Sequence, residues 1–110
     1  GRREDQYHIK GNHVSRQKVL SHLLMLPGVE EAEVIGEKQA NGDDRLIAFL
    51  SGQVPASDAR LMSLLAGRLR AWEIPHRILR VASIPKTSTG KTDRKRLLAM
   101  AEAVSLGGGK

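Results

Sequence analysis

The sequence predicts an α+β domain: a small sheet of about three main strands, a short N-terminal strand or hairpin, and about three helices packed on it. Three observations lead there. Apolar residues recur at helical spacing in three separate segments. Two strand-like runs, residues 29–36 and 45–51, are separated by a polar stretch containing Asn41-Gly42, a strong turn signal. Proline and glycine fall between the periodic segments rather than within them. The element order is β-α-β-β-α-β-α, with no internal repeat.

Residues 5–11 alternate loosely around Tyr7 and Ile9 and read as a short strand ending at a glycine. Ser15 is placed to cap a helix whose apolar face is Val19, Leu20, Leu23, Leu24 and Leu26. A capping box is not expected, because Lys18 stands where Glu or Gln is needed. Pro27-Gly28 stops that helix. Val34 and Ile35 are expected in the core of the next strand. The nearly continuous apolar run from Leu46 to Leu50 suits a strand covered on both faces, paired with the strand before it as a long-looped hairpin. Ser57-Asp58 opens a second helix with Leu61, Leu64, Leu65 and Leu69 on one stripe, ended by Trp72-Glu73-Ile74-Pro75. Residues 77–81 form a short strand, residues 83–91 a loop of small and polar side chains. Thr92-Asp93 caps a last helix carrying Leu97, Leu98 and Met100, and residues 105–110 read as a flexible tail.

Length and composition bound the function. The chain has 110 residues, enough for one domain. Eighteen Lys+Arg against twelve Asp+Glu give a net charge of +6, which favours an anionic partner. There is no cysteine, so disulfides, cysteine zinc sites and a cysteine nucleophile are excluded. No metal site is expected, since no histidine pair has ligand spacing with carboxylates nearby. Aromatics are 3% of residues, too few for base stacking, and the basic residues are spread along the chain, which argues against nucleic acid. No apolar run approaches the ~20 residues of a membrane helix, and the charged N-terminus is not a signal peptide. A cytoplasmic location is expected. The chain opens on Gly1 without an initiator methionine, so either the start was removed or the chain is expected to be a piece of something longer.

The informative stretch is Pro85-Lys86-Thr87-Ser88-Thr89-Gly90-Lys91-Thr92-Asp93-Arg94. Its end matches the phosphate-binding pattern G-x-x-x-x-G-K-[ST], but Pro85 occupies the first glycine position, and the required α/β domain does not fit this length. A glycine beside a lysine in a loop of small residues still lets backbone and ammonium approach an anion closely. By itself a Gly-Lys pair is more often an ordinary solvated lysine.

The stretch resembles the closing motif of the adenylate-forming superfamily, which includes acyl- and aryl-CoA synthetases, luciferases and peptide-synthetase adenylation domains. Further segments resemble that family in order and spacing: Gly1-Arg2-Arg3-Glu4-Asp5-Gln6, His8-Ile9-Lys10-Gly11 with Val14, Leu26-Pro27-Gly28-Val29-Glu30-Glu31-Ala32-Glu33-Val34, Gly42-Asp43-Asp44-Arg45-Leu46-Ile47-Ala48-Phe49, and Trp72-Glu73-Ile74-Pro75.

The resemblance covers only the C-terminal lid of such enzymes. It implies a hinge over residues 1–5, a lid over 6–104 and a tail over 105–110. The implied activity is that of an AMP-forming carboxylic acid:thiol ligase: an acid and ATP give an acyl-adenylate, and the acyl group then passes to a thiol. ATP, magnesium, and CoA or phosphopantetheine would be bound mainly by an N-terminal adenylation domain, so the chain alone is expected to be inactive. Its partners would be that domain, the carboxylic acid, and CoA or an acyl or peptidyl carrier protein. Lys91 would be the catalytic lysine. Arg2 and Gly90 would approach the nucleotide, Glu4 would be the hinge, and Lys10, Gly11 and His13 would line the thiol tunnel. His13 replaces an arginine common in CoA synthetases and Lys18 replaces an acidic residue, which leaves room for a carrier protein as acceptor. The resemblance also extends to the sequence context in which bacterial acyl-CoA synthetases are acetylated on this lysine. The competing reading is a stand-alone basic module that binds nucleic acid or a carrier protein.

Overall fold

The apolar run of residues 45–51 becomes the middle of a sheet. In the computed structural model, which describes residues 6–108 and side chains through residue 103, β4 (Asp44–Gly52) lies between β3 (Val29–Lys38) and β5 (Arg77–Arg80). β3 pairs antiparallel with β4, and β5 pairs parallel with it. The β3–β4 connection turns through Asn41-Gly42, the long-looped hairpin that the sequence predicts.

Side chains alternate across β4, so an unbroken apolar run feeds two cores. Leu46, Ala48 and Leu50 face one cluster, where α1 (Arg16–Leu24) contributes Val19 and Leu23 and α2 (Asp58–Ala66) contributes Leu61 and Leu65. Ile47 and Phe49 face the other, closed by Ile84 and by Leu97 and Ala101 of α3 (Arg94–Gly108). This is the α+β arrangement that the sequence predicts, with three helices, a three-stranded mixed sheet and a separate hairpin.

The N-terminal element takes the hairpin form that the sequence allows, β1 (Gln6–Ile9) against β2 (Asn12–Ser15), closed by the two-residue turn Lys10-Gly11, while several other expectations need correction. Both turn residues have positive φ, 50° and 82°, the geometry that matches strand twist in a tight hairpin. Leu24 is 46% exposed, because α1 turns it away from the sheet. α2 stops at Gly67, which caps it, and Leu69 reaches the core from the segment beyond. A glycine costs a helix interior about 1 kcal/mol, which favours the early stop. Trp72 and Glu73 belong to a separate 3-10 turn, Ala71–Glu73. α3 runs to Gly108, past residue 105, where the sequence predicts a tail.

The caps at Ser15 and Ser57 form as predicted, their hydroxyls accepting from the Lys18 and Arg60 amides. Lys18 has a further use. Its ammonium lies 3.0 Å from Glu73 Oε2, while the Arg70 N–H donates to Glu73 Oε1 at 2.9 Å. Burial alone would raise the Glu73 pKa, but the Arg70 amide and the Lys18 ammonium outweigh it and hold the carboxyl below its usual 4.5. A carboxyl whose folded pKa is lowered stabilises the fold above its unfolded value and loses that contribution as pH falls through the folded one. Stability to urea should therefore drop on acidification below about pH 4.5, and Glu73→Gln should flatten that drop relative to the parent chain.

Candidate functional site

The predicted loop is an ordered, closed structure. Thr87 N–H donates to the Lys91 carbonyl at 2.6 Å, Gly90 N–H to the Thr87 carbonyl at 2.9 Å, and Asp93 N–H to the Pro85 carbonyl at 2.9 Å. Lys86 and Thr92 bridge antiparallel across its base. Thr87 Oγ1 accepts from the Lys91 amide at 3.2 Å and lies 3.0 Å from Thr89 Oγ1. Gly90 takes φ 86°, a conformation that side chains resist, and a Cβ there would meet nothing within 4 Å. Lys91 stands exposed on one leg of this loop, and among the described residues nothing pairs with its ammonium.

Two carboxylates of β3 hold the loop. Glu31, Glu33 and Ile35 share the strand face turned toward α3, since alternate residues point the same way. Glu31 Oε1 accepts from the Ile84 N–H at 3.2 Å and from the Ser51 hydroxyl at 3.4 Å, and its other oxygen is 3.9 Å from the Lys86 ammonium. Glu33 is 3% exposed. Its Oε2 accepts from the Thr92 hydroxyl at 2.8 Å, and its Oε1 accepts from Arg16 Nε at 3.0 Å and from the Val34 N–H at 3.0 Å. One carboxylate thus anchors the entry leg and the other the exit leg.

The same place ties in the hairpin and the last helix. Tyr7 OH donates to the Val34 carbonyl at 3.3 Å and accepts from Arg94 at 2.9 Å. Burial raises the Tyr7 pKa, against the opposing pull of Arg94, so the phenol stays protonated at neutral pH. Gly36 makes room for the ring: a Cβ there would lie 2.6 Å from Tyr7 ring carbons. Beside them a cleft of about 510 Å³ is lined by Gln6, Tyr7, His8, Gly36, Lys38, Asp44 and Arg94. Asp93 caps α3, accepting from the Arg96 amide at 3.1 Å, while Thr92 turns to Glu33 instead of sharing the cap.

Lys10, Gly11 and His13 lie at a second location, the β1–β2 turn. His13 stacks edge-on against His8, ring centroids 4.4 Å apart, and both are exposed. Space above Gly11 is open. Small clefts beside the turn are lined by Ile9, Lys10, Trp72 and His76. His76 Nδ1 accepts from the Leu46 amide at 3.2 Å; burial, Arg45 and Lys10 push its pKa below 6.5 and keep it neutral. No hydrogen bond among the described residues joins this turn to the Lys91 loop. Arg2 and Glu4 lie outside the described residues. Among the described residues no three His, Asp or Glu converge on a point that could hold a magnesium ion.

Residues 19–91 match the family of AMP-binding enzyme C-terminal domains, which is most of the chain and includes Gly90 and Lys91. The chain belongs to that family. Among curated relatives, chondramide synthase of Chondromyces crocatus is 35% identical over 88% of the chain, and tyrocidine synthase 3 of Brevibacillus parabrevis is 35% identical over 97%. The L-allo-isoleucine:holo-[CmaA peptidyl-carrier protein] ligase of Pseudomonas savastanoi pv. glycinea is 36% identical over 88%. The chain spans 2% of the length of each of the first two and 17% of the third. Among solved structures, o-succinylbenzoate CoA synthetase of Bacillus subtilis superposes with a TM-score of 0.76 at 27% identity, over 87% of this chain and 20% of that one. An amide bond synthetase of Marinactinospora thermotolerans shares the fold at TM-score 0.80 and 23% identity, over 90% of this chain and 20% of that one.

The sequence singles out Lys91 and Gly90 but not the groups that fix them. Glu33, Thr92, Arg16, Tyr7 and Arg94 come together only in three dimensions. The available signal is the spacing of Glu31 and Glu33, two apart in a strand, which puts both on one face. Gly90→Ala should cost about 1–2 kcal/mol in urea denaturation, the price of a left-handed residue with free space around it. Gly28→Ala should cost far more, because its Cβ would overlap the Gln53 carbonyl oxygen. Equal, negligible losses would contradict the loop geometry.

Proposed function

We propose that this chain is the C-terminal lid of an adenylate-forming ligase that activates an amino acid with ATP and passes the acyl group to a peptidyl-carrier thiol. The observation that carries the reading is an unpaired, exposed Lys91 on an ordered loop, within a chain of the AMP-binding enzyme C-terminal family. In the first half-reaction a carboxylate oxygen of the acid attacks the α-phosphorus of ATP and pyrophosphate leaves. In the second the thiol sulfur attacks the acyl carbon and AMP leaves. Negative charge gathers between carboxylate and phosphate in the first step. A fixed ammonium there stabilises the transition state more than the ground state. The role given to Lys91 is electrostatic and not that of a base.

Arg2 would contact the nucleotide, Gly90 would let the loop backbone approach it, and Glu4 would serve as the hinge about which the lid turns. Lys10, Gly11 and His13 would face the thiol acceptor after that turn. Their separation from the Lys91 loop suits a lid that presents a different edge to each half-reaction. Magnesium would be held by residues outside this chain. The amino acid and carrier-protein acceptor are supported by the names of the relatives, together with His13 where CoA synthetases commonly carry arginine. The setting is cytoplasmic, where ATP is supplied. No helix among the described residues is long and apolar enough to cross a membrane.

In the complete enzyme, Lys91→Ala should lower amino-acid-dependent exchange of pyrophosphate into ATP by about 100- to 1000-fold, as loss of one transition-state charge contact does. Acylation of the carrier thiol from preformed aminoacyl-adenylate should be largely retained. Equal loss in both halves would refute the role given to Lys91, and acylation of free CoA in preference to a carrier protein would refute the acceptor.

A further inference from the structure

We propose that Glu31 and Glu33 are positioning residues for Lys91, acting as a two-point carboxylate clamp that fixes where the lysine loop stands on the sheet. The inference rests on the reading of Lys91 given above. It adds that residues with no reach to the reacting atoms set the position of the ammonium.

The geometry carries it. The loop is a hairpin with a short base, and each leg of that base meets a different glutamate. Thr92, the residue next to Lys91, gives its hydroxyl to Glu33 at 2.8 Å rather than to the helix it precedes. Glu33 is 3% exposed, its Oε1 accepting from Arg16 and the Val34 amide and its Oε2 from Thr92. A buried carboxylate is costly unless paired and is weak evidence for stability as such. Its stronger consequence is directional, because Arg16 and the Val34 amide hold the carboxylate through Oε1 and so fix where Oε2 stands to accept from the Thr92 hydroxyl. Arg16 starts α1, so the clamp also refers the loop to the first helix. The remaining contact, Glu31 to the Ile84 amide, fixes the chain just before Pro85.

The step that depends on this is the one with tight geometric demand. Displacement of a catalytic group by about 1 Å can cost a rate about 100-fold. Thiol transfer, which does not use Lys91, should be indifferent.

The test uses the complete enzyme, with a mixture of the protein amino acids as the acid probe. Pyrophosphate exchange into ATP reads the first half-reaction, and carrier acylation from preformed aminoacyl-adenylate reads the second. Thr92→Val removes the hydroxyl and keeps the shape. It should lower exchange tenfold or more, up to about 100-fold, through kcat rather than KM, with acylation unchanged. Thr92→Ser restores the hydroxyl and should recover most of the exchange. Because Thr92 is half-buried and Val and Ser stay close to it in size, both variants should fold, and thermal unfolding checks that they do. Thr92→Val with normal exchange overturns the clamp while leaving Lys91 intact. Equal loss in both half-reactions, or no recovery with serine, makes the contact merely structural and also overturns it. If Lys91→Ala itself leaves exchange untouched, the reading of Lys91 fails and the clamp falls with it.

Discussion

Glu33, on the edge strand β3, carries a carboxylate into the interior, where a charge without partners would cost several kcal/mol. Every partner it takes comes from a different part of the chain. Arg16 comes from the start of α1, the Val34 amide from β3 itself, and Thr92 from the loop before α3. The edge is thereby closed as well: at Val34 the outward N–H goes to Glu33 and the outward carbonyl to Tyr7, so no unpaired backbone is offered for strand addition at that point. Tyr7 in turn meets Arg94. Hairpin, first helix, edge strand, lysine loop and last helix all meet around one carboxylate and one phenol.

This explains how a surface loop of small residues can hold a lysine in a defined place. Loops owe their mobility to sparse contacts and to backbone groups exchanged with water. Here the Thr87, Gly90 and Asp93 amides bond to carbonyls of the same segment, and its ends are tied to β3. Among the described residues the Lys91 ammonium has no ion-pair partner. The net charge of +6 reads differently in this light. Arg16, Lys18, Lys38, Lys86 and Arg80 are matched to Glu33, Glu73, Asp44, Glu31 and Asp58. Exposed pairs such as Arg80 with Asp58 contribute little to stability. The cations that remain for a partner include Lys91 on its loop and Lys10 at the hairpin turn.

The elements were legible because each followed from a local rule. Serine caps, the Asn41-Gly42 turn and the continuous apolar run of β4 all act over a few residues, and each forms where the sequence predicts it. Reading failed where a longer-range fact decided. Leu24 fits the helical stripe, but α1 is rolled so that Val19 and Leu23 face the sheet. The stripe through Leu69 suggests a longer α2, yet Gly67 ends the helix and Leu69 reaches the core by another route. The site divides in the same way. Lys91 and Gly90 stand in a motif and were visible. Glu33 and Thr92 are 59 residues apart, and no local pattern joins them.

The central claim is that the Lys91 loop is held rigid by its contacts to β3. Backbone ¹⁵N relaxation on the 110-residue chain tests it most directly. The account predicts order parameters for the Thr87, Gly90 and Lys91 amides close to ~0.85, the value of ordered backbone, falling in Thr92→Val. Values below ~0.6 in the parent chain, or values unchanged by the loss of the Thr92 hydroxyl, would contradict it.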